Sequence, residues 1–340
     1  MKKSVSIILC TRNRAEYLSL TLESLAGVRL PKGFETELLV VDNASTDETS
    51  GVVAAARIPQ MTVRYHYEPR AGKSVALNNA IARAQGDLLL FTDDDILVPR
   101  DWIQGLCEPI LRGEAHAVCG AVRIPPHLNL PWMDNYHRGW LASTEDFRES
   151  DINNMVGGNM AFTHEVLEQV PALDPQLGAG MRGYHEESLF TWQLRLAGYR
   201  VKYLPHVVAE HHFSKSRLNR KSMLNIADKA GRSSAYVAHH WEHREIKHPR
   251  AKMLRALLRL AYWRLRRHGL RTPRDNDGAP RWEMEMAMDV AYHKQYLTER
   301  RQRRNYRPYA LRLSSQEKGT PPDRKEFSQD VPHPIRFIHR

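Results

Sequence analysis

The sequence predicts an α/β fold, a mixed, mainly parallel sheet flanked by helices, with a basic helical C-terminal region. Three observations carry the prediction. Apolar, β-branched runs alternate with segments of helical spacing between Ser4 and Asp95. Polar clusters close three of those runs, at the strand ends where ligands sit in such sheets. The charge is divided along the chain: residues 1–213 carry 20 Lys and Arg against 26 Asp and Glu, and residues 214–340 carry 30 against 13.

Taken in order, Ser4–Leu9 reads as a buried strand ended by Thr11-Arg12-Asn13-Arg14. The basic pair before it and the break at Arg12 make this opening too short for a secretory signal. Leu18, Leu22 and Leu25 recur at helical spacing, so a helix spans Glu16–Leu25. Glu37–Val41 is a second strand, closed by Asp42-Asn43-Ala44-Ser45-Thr46-Asp47, a turn and helix-capping sequence. Thr62–Tyr67 is a third strand and Ser74–Ala84 a helix ending near Gly86. Asp87–Thr92 is strongly apolar and stops at Asp93-Asp94-Asp95. From 120 to 213 the pattern is less regular. Gly157-Gly158-Asn159 opens Met160–Val170, a strand then a helix; His185-Glu186-Glu187 precede a helical run through Leu189, Trp192 and Leu196. Tyr199–Leu204 is a strand and Val207–Glu210 a short strand-like run. Helices predominate beyond 214, and residues 316–340, rich in Pro, Ser and charge, are expected to be loosely ordered.

Composition excludes several classes. With 42% hydrophobic and 26% charged residues, 19 Gly and 19 Pro, the 340-residue chain is neither collagen-like nor wholly disordered nor a multi-span membrane protein. Three cysteines without a CxxC exclude a disulfide framework and fit a reducing, cytoplasmic compartment. No run approaches the ~20 apolar residues of a membrane span. The basic region suits nucleic acid or an anionic membrane surface; no nucleic-acid motif accompanies the charge, which disfavours nucleic acid.

Several residue groups can carry chemistry. Asp93, Asp94 and Asp95 repel one another at a strand end, a cost that a hard divalent cation, Mg²⁺ or Mn²⁺, removes. The alternative is an acidic turn capping the helix near Trp102. Asp42 and Asn43 can hydrogen-bond a base or ribose edge, or belong to a capping turn with Ser45 or Thr46 as N-cap. Gly72-Lys73-Ser74 resembles the end of a phosphate loop, but Tyr67 stands where that loop needs Gly; Lys73 remains a point charge for a phosphate. Glu186 and Glu187 either favour a positive helix end or supply a general base. His211 and His212 read as polar surface; the alternative is that one of them ligates a metal, with no second His or Cys at a convincing motif spacing. Lys252–Arg267 is amphipathic, its basic face on Lys252, Arg255, Arg259 and Arg266, its apolar face on Met253, Leu254, Leu257, Leu258, Leu260, Ala261 and Leu265, with Arg264 as an exception. That apolar face either packs on the first region or lies in a membrane interface.

In order, these segments resemble the family 2 glycosyltransferases of the GT-A, Rossmann-like fold. The resemblance rests on Ser6–Arg14, Val40–Thr49, Gly72–Gly86 with Ala76, Asn78 and Ala84, Phe91–Asp95, Gly158–Phe162, and Glu186-Glu187 followed by Trp192 and Gly198–Val201. It covers residues 4–213 and departs from the family at Cys10-Thr11-Arg12-Asn13, at Asn43 and at Glu187, where the family usually has Asp. It implies an inverting, metal-dependent transferase in polysaccharide, cell-envelope or glycolipid synthesis. Residues 1–119 would bind the nucleotide-diphosphate sugar, commonly a UDP-sugar, through Cys10, Thr11, Arg12, Asp42, Asn43, Lys73, Asn78, Asp93 and Asp94. Asp95 and Asp93 would hold Mg²⁺ or Mn²⁺. Residues 120–213 would receive a glycan or lipid-linked acceptor, with Gly158, Asn159 and Trp192 at its pocket and Glu187 or Glu186 as base. Residues 214–315 form the basic helical region, which suggests a peripheral position on the inner face of the cytoplasmic membrane. A non-catalytic scaffold of the same fold is the alternative; a sugar nucleotidyltransferase would show a Gly-rich loop after the first strand, and Thr11–Arg14 contains no Gly.

Overall fold

The computed structural model describes residues 3–147, 154–269 and 278–307, with 271, 273–275 and 311. Eight strands form one sheet in the order β3-β2-β1-β4-β7-β6-β8-β5. β1 (Lys3–Thr11), β2 (Phe34–Asp42), β3 (Thr62–Tyr67) and β4 (Leu88–Asp93) are parallel neighbours. β7 (Met160–Thr163) runs antiparallel to both β4 and β6 (Ala117–Arg123). β8 (Val201–His211) lies parallel to β6 and antiparallel to the two-residue β5 (Ile96–Leu97). The sheet is therefore mixed, with a parallel half built from the first four strands.

The parallel strands read as unbroken apolar runs because both faces are covered. Ile7, Leu9, Leu38 and Val40 face one core with Leu18, Leu22 and Leu25 of α1 (Ala15–Ala26) and Trp102, Ile103 and Leu106 of α4 (Trp102–Leu111). Ile8, Leu39, Val41 and Phe91 face a second core with Ala76, Leu77 and Ala80 of α3 (Lys73–Ile81), which ends one turn before the expected Ala84. The helix expected after β7 is a five-residue 3₁₀ turn, His164–Glu168. The two strand-like runs after Gly198 are the single strand β8.

Among the described residues, three α-helices follow β8: α7 (Arg220–His240), α8 (Pro249–His268) and α9 (Arg281–Glu299), after the short α2 (Thr49–Ala55), α5 (Asn135–Trp140) and α6 (Glu186–Leu196). α7 is not set apart from residues 1–213. Its Met223, Ile226 and Ala227 share a core with Ile124, Leu128, Leu141 and Phe213. Its Tyr236 and Val237 share another with Leu177, Leu189 and Trp192. α8 packs through Ala256 and Leu260 and leaves Leu254, Leu257, Leu258, Tyr262 and Leu265 exposed, so its apolar face is not packed on the first region. The tail expected to be loose, 316–340, lies outside the described residues.

Candidate active site

Strand register brings the polar clusters to one edge. Thr11 stands opposite Asp42, Cys10 opposite Asp93, and Asp42 opposite Tyr67. Parallel pairing aligns carboxyl ends, so clusters distant in sequence become neighbours.

The acidic triplet is held by cations and does not cap α4, whose N-cap is Asp101. Arg14 places Nη1 2.9 Å from Asp94 Oδ1 and Nη2 2.6 Å from Asp95 Oδ2. Thr11 Oγ1 donates to Asp94 Oδ2 at 2.7 Å. Burial pushes the Asp94 carboxyl up to about 7, against the pull of Arg14. Burial acts the same way on Asp95, but His211 and Arg14 outweigh it and hold that carboxylate well below its usual range. Pairing of Ile96 with His211 brings this histidine to Asp95, with Nε2 3.1 Å from Oδ2.

His211 Nδ1 lies 2.7 Å from the Leu141 carbonyl, which only accepts, so Nδ1 carries a proton there. Nε2 then donates to the Asp95 carboxylate, which is how His211 lowers it, and only displacement of that proton by a bound cation would turn a lone pair there. A carboxylate and an imidazole oriented by a backbone carbonyl are two donors a divalent cation uses; here Arg14 and Arg217 stand at the same atoms, with Arg14 Nη2 2.6 Å from Asp95 Oδ2 and Arg217 Nη1 3.4 Å from His211 Nε2, so a cation would have to displace them. Among the described residues no three His, Cys, Asp or Glu side chains close round a metal position by themselves. A pair suits Mg²⁺ or Mn²⁺ that completes its sphere with water and phosphate oxygens. Asp93, expected beside Asp95, instead meets Lys73, whose Nζ is 2.9 Å from its Oδ1.

Lys73 also touches the second carboxylate pair, at 3.5 Å from Glu187 Oε1. The loop before α6 makes this meeting possible. Ser74 Oγ donates to the Leu177 carbonyl at 2.9 Å and Lys73 N to the Ala179 carbonyl at 2.8 Å, tying the start of α3 to residues 177–179. Gly72 precedes α3 at φ 126°, a conformation side chains rarely adopt. Burial disfavours the Lys73 charge, but Asp93, Glu187 and Glu186 reverse that and keep the ammonium protonated. Glu186 and Glu187 open α6 behind His185, which is left-handed at φ 78° and 2.8 Å from Ser234 Oγ of α7. Burial drives His185 down to about 4, so it is neutral. Burial and Glu187 push the buried Glu186 well above the carboxylate range, whereas Glu187 retains a solvent-facing surface.

Several expected contacts are otherwise occupied. Asn43 donates to the Glu68 and Arg70 carbonyls at 3.1 and 2.6 Å and accepts from Gly72 N at 2.9 Å, so both its amide hydrogens hold the β3–α3 loop. Asp42 accepts from Ser45 N and from the Tyr65 hydroxyl, both at 2.8 Å; the N-cap position of α2 is Glu48, without a side-chain cap, and Asp47 just before it accepts from Thr49 N, so neither Ser45 nor Thr46 caps the helix. Asn78 donates to the Leu173 carbonyl at 2.7 Å. Asn159 and Trp192 do not face an acceptor pocket. Asn159 is wholly buried and bonds Trp102, Ala121 and Val207; Trp192 belongs to the core shared with α7. Gly158 lies against Asp93, and a Cβ on Gly157 would fall on Glu187 Oε1, so this turn forms the wall between the two acidic groups. Of the expected set, Cys10, Arg12, Lys73, Asn78, Asp93 and Glu187 retain exposed surface; Thr11, Asp42, Asn43, Asp94, Asp95, Glu186 and Gly158 are buried. Arg14 is outside the expected set, and His211 enters it only as the metal-ligand alternative to polar surface. For His211 the pattern was readable, since it falls in phase with the inward Val207 and Ala209 of β8.

Residues 6–170 match the family model described as glycosyl transferase family 2. The succinoglycan biosynthesis protein ExoM of Rhizobium meliloti (strain 1021) is 35% identical over 121 residues, 35% of this chain and 38% of that protein. A glucosyl-3-phosphoglycerate synthase of Mycolicibacterium paratuberculosis (strain ATCC BAA-968 / K-10) is 30% identical over 190 residues, 50% of this chain and 55% of that protein. The chain thus spans about half the length, or less, of these curated relatives. A solved mannosyltransferase from Pyrobaculum calidifontis, in complex with GDP-Man and Mn²⁺, shares the fold at a TM-score of 0.56 and 20% identity, covering 86% of each chain.

Proposed function

We propose, from the match of residues 6–170 to the glycosyl transferase family 2 model, that this chain moves a sugar from a nucleotide-diphosphate sugar to an acceptor hydroxyl, with inversion at the anomeric carbon. One observation carries the reading. Lys73 touches Asp93 on the donor edge and Glu187 on α6, so a candidate base faces the acidic strand end across a single ammonium. Glu187 takes the proton from the acceptor hydroxyl as its oxygen attacks the anomeric carbon. The bond to the diphosphate breaks as the new glycosidic bond forms, and the diphosphate leaves with the electron pair. One displacement from the opposite face inverts the centre. Burial and the neighbouring Glu187 push the Glu186 carboxyl up and favour its protonated form, which is why Glu187 is proposed as the base. Lys73 lies where it can meet the charge of the departing diphosphate.

Asp95 and His211 would hold Mg²⁺ or Mn²⁺, which when bound stabilises charge on the leaving diphosphate. Cys10, Arg12 and the end of β2 are the proposed nucleoside side, with a UDP-sugar as the first donor to try, and the Gly157-Gly158 turn is the proposed acceptor side. The ExoM name supports polysaccharide or cell-envelope synthesis as the setting. A glycan or lipid-linked acceptor, presented to a cytoplasmic enzyme at the inner face of the membrane, is part of the same reading. No helix among the described residues is long and apolar enough to cross a membrane.

The test is a panel of UDP, GDP, TDP and CDP, each with Mn²⁺, read by thermal shift, followed by turnover of Glu187→Gln. One nucleotide is expected to raise Tm with metal, and Glu187→Gln to keep that rise while turnover falls about a hundredfold or more. No rise with any nucleotide moves the chain to the scaffold reading. Full turnover in Glu187→Gln removes Glu187 as base, and loss in Glu186→Gln alone exchanges their roles.

A further inference from the structure

α8 carries a surface that the transfer reaction does not use. Its exposed apolar residues, Leu254, Leu257, Leu258, Tyr262 and Leu265, share one side of the helix at i, i+3, i+4, i+8 and i+11. Tyr262 and the leucines at 254, 258 and 265 are each more than half exposed, where an isolated surface leucine is ordinary but a continuous stripe is not. The opposite side, through Ala256 and Leu260, is buried against α9. The helix is therefore clamped on one side and bare on the other.

The charge around the stripe selects what covers it. The twenty residues of α8 hold six arginines and one lysine and no acidic residue. A second copy docking stripe to stripe would bring this charge against itself. The cations stand beside the stripe: Arg266 Nη1 is 3.0 Å from the Tyr262 hydroxyl, and Lys252, Arg255 and Arg259 line one side of a cavity of about 440 Å³ whose other lining includes Arg244, His293 and the acidic Glu245 and Asp289. Leucine and tyrosine on one face with arginines at its borders is the pattern of a helix lying in an anionic interface. With seven cationic residues, α8 is not apolar enough to cross a membrane.

We propose that α8 is a membrane-docking helix that lays its leucine stripe into an anionic lipid surface, with its flanking arginines on the headgroup phosphates. This deepens the membrane part of the functional reading by naming the surface, and it stands apart from the chemistry, because docking needs neither donor nor metal.

The experiment is co-sedimentation of the full chain with vesicles of phosphatidylcholine alone and of phosphatidylcholine with phosphatidylglycerol, at low and high salt. Binding is expected only to the mixed vesicles and to weaken with salt. Leu258→Ser with Leu265→Ser should lower the bound fraction about tenfold at unchanged Tm, since both side chains are exposed. Arg255→Gln with Arg259→Gln should reduce the salt dependence. No binding to mixed vesicles overturns the proposal. So does binding that the leucine variant leaves intact, which would assign docking to another basic surface. A concentration-dependent dimer in light scattering that the leucine variant abolishes would assign the stripe to a second copy. Each vesicle readout is independent of turnover, so failure of docking and failure of the transferase reading are separate results.

Discussion

At the residue scale, Gly157 decides where Glu187 can sit. No other residue type lets the backbone lie on a carboxylate in this way, and the required φ is not positive, so the demand is for space alone. Gly157→Ala would push the flexible end of Glu187 away from Lys73 at little cost to the backbone. Turnover is expected to fall at least tenfold while stability changes by less than ~1 kcal/mol, because the displaced group is a side-chain tip and not backbone. Steady-state kinetics with a urea titration measures both; unchanged kcat would mean the carboxylate need not occupy this position. The same scale separates Arg14 from Arg12. Both follow the first strand, but Arg14 stands beside the acidic triplet while Arg12 is exposed, and sequence order alone does not distinguish them.

At the element scale, the β3–α3 loop is a device for delivering Lys73. Glu68 accepts from Arg70 N at 3.0 Å, from the Arg70 guanidinium at 2.8 Å on each oxygen, and from Asn79 at 2.8 Å. Arg70 pairing and these hydrogen bonds lower its pKa from 4.5 to about 2. A carboxyl depressed by folding stabilises the native state above its unfolded pKa and loses that contribution as pH falls through the folded one. The loop is thus fully braced above about pH 4.5 and released toward pH 2. Urea midpoints of wild type should fall through this window, and those of Glu68→Gln should fall less steeply. An identical acid limb in both proteins would remove Glu68 as the brace. Asn43 supports the same loop from β2. The sequence assigned it to ligand because an amide at a strand end suits either use; the loop backbone, which has no other partner for these groups, claims it.

At the scale of the whole molecule, the helices beyond Phe213 complete the site-bearing region. Asp174, in the loop leading to α6, accepts from Tyr236 Oη at 3.0 Å and from Trp241 Nε1 at 2.6 Å, both belonging to α7 or its end. Ser234 holds His185, which opens α6 and so aims Glu187. A chain ending at Phe213 would expose Leu177, Leu189 and Trp192 on one side and Ile124, Leu128 and Leu141 on another. Such a chain is expected to lack cooperative unfolding, read by circular dichroism against temperature. A sharp transition near that of the full chain would instead make residues 1–213 an autonomous unit.

What the sequence determined by itself was local and periodic. Unbroken apolar runs such as Ile7–Leu9 and Leu88–Phe91 specify strands buried on both faces, helical spacing at Leu18, Leu22 and Leu25 specifies the helix that covers them, and strand-end carboxylates mark the edge where chemistry gathers. Tertiary structure alone decided which of those polar groups meet. Lys73 and Glu187 are joined through loop backbone more than a hundred residues apart, and His211 reaches Asp95 only because β5 pairs with β8. Side-chain partnership depends on register and loop closure between distant segments, and periodicity within a segment carries no information about either.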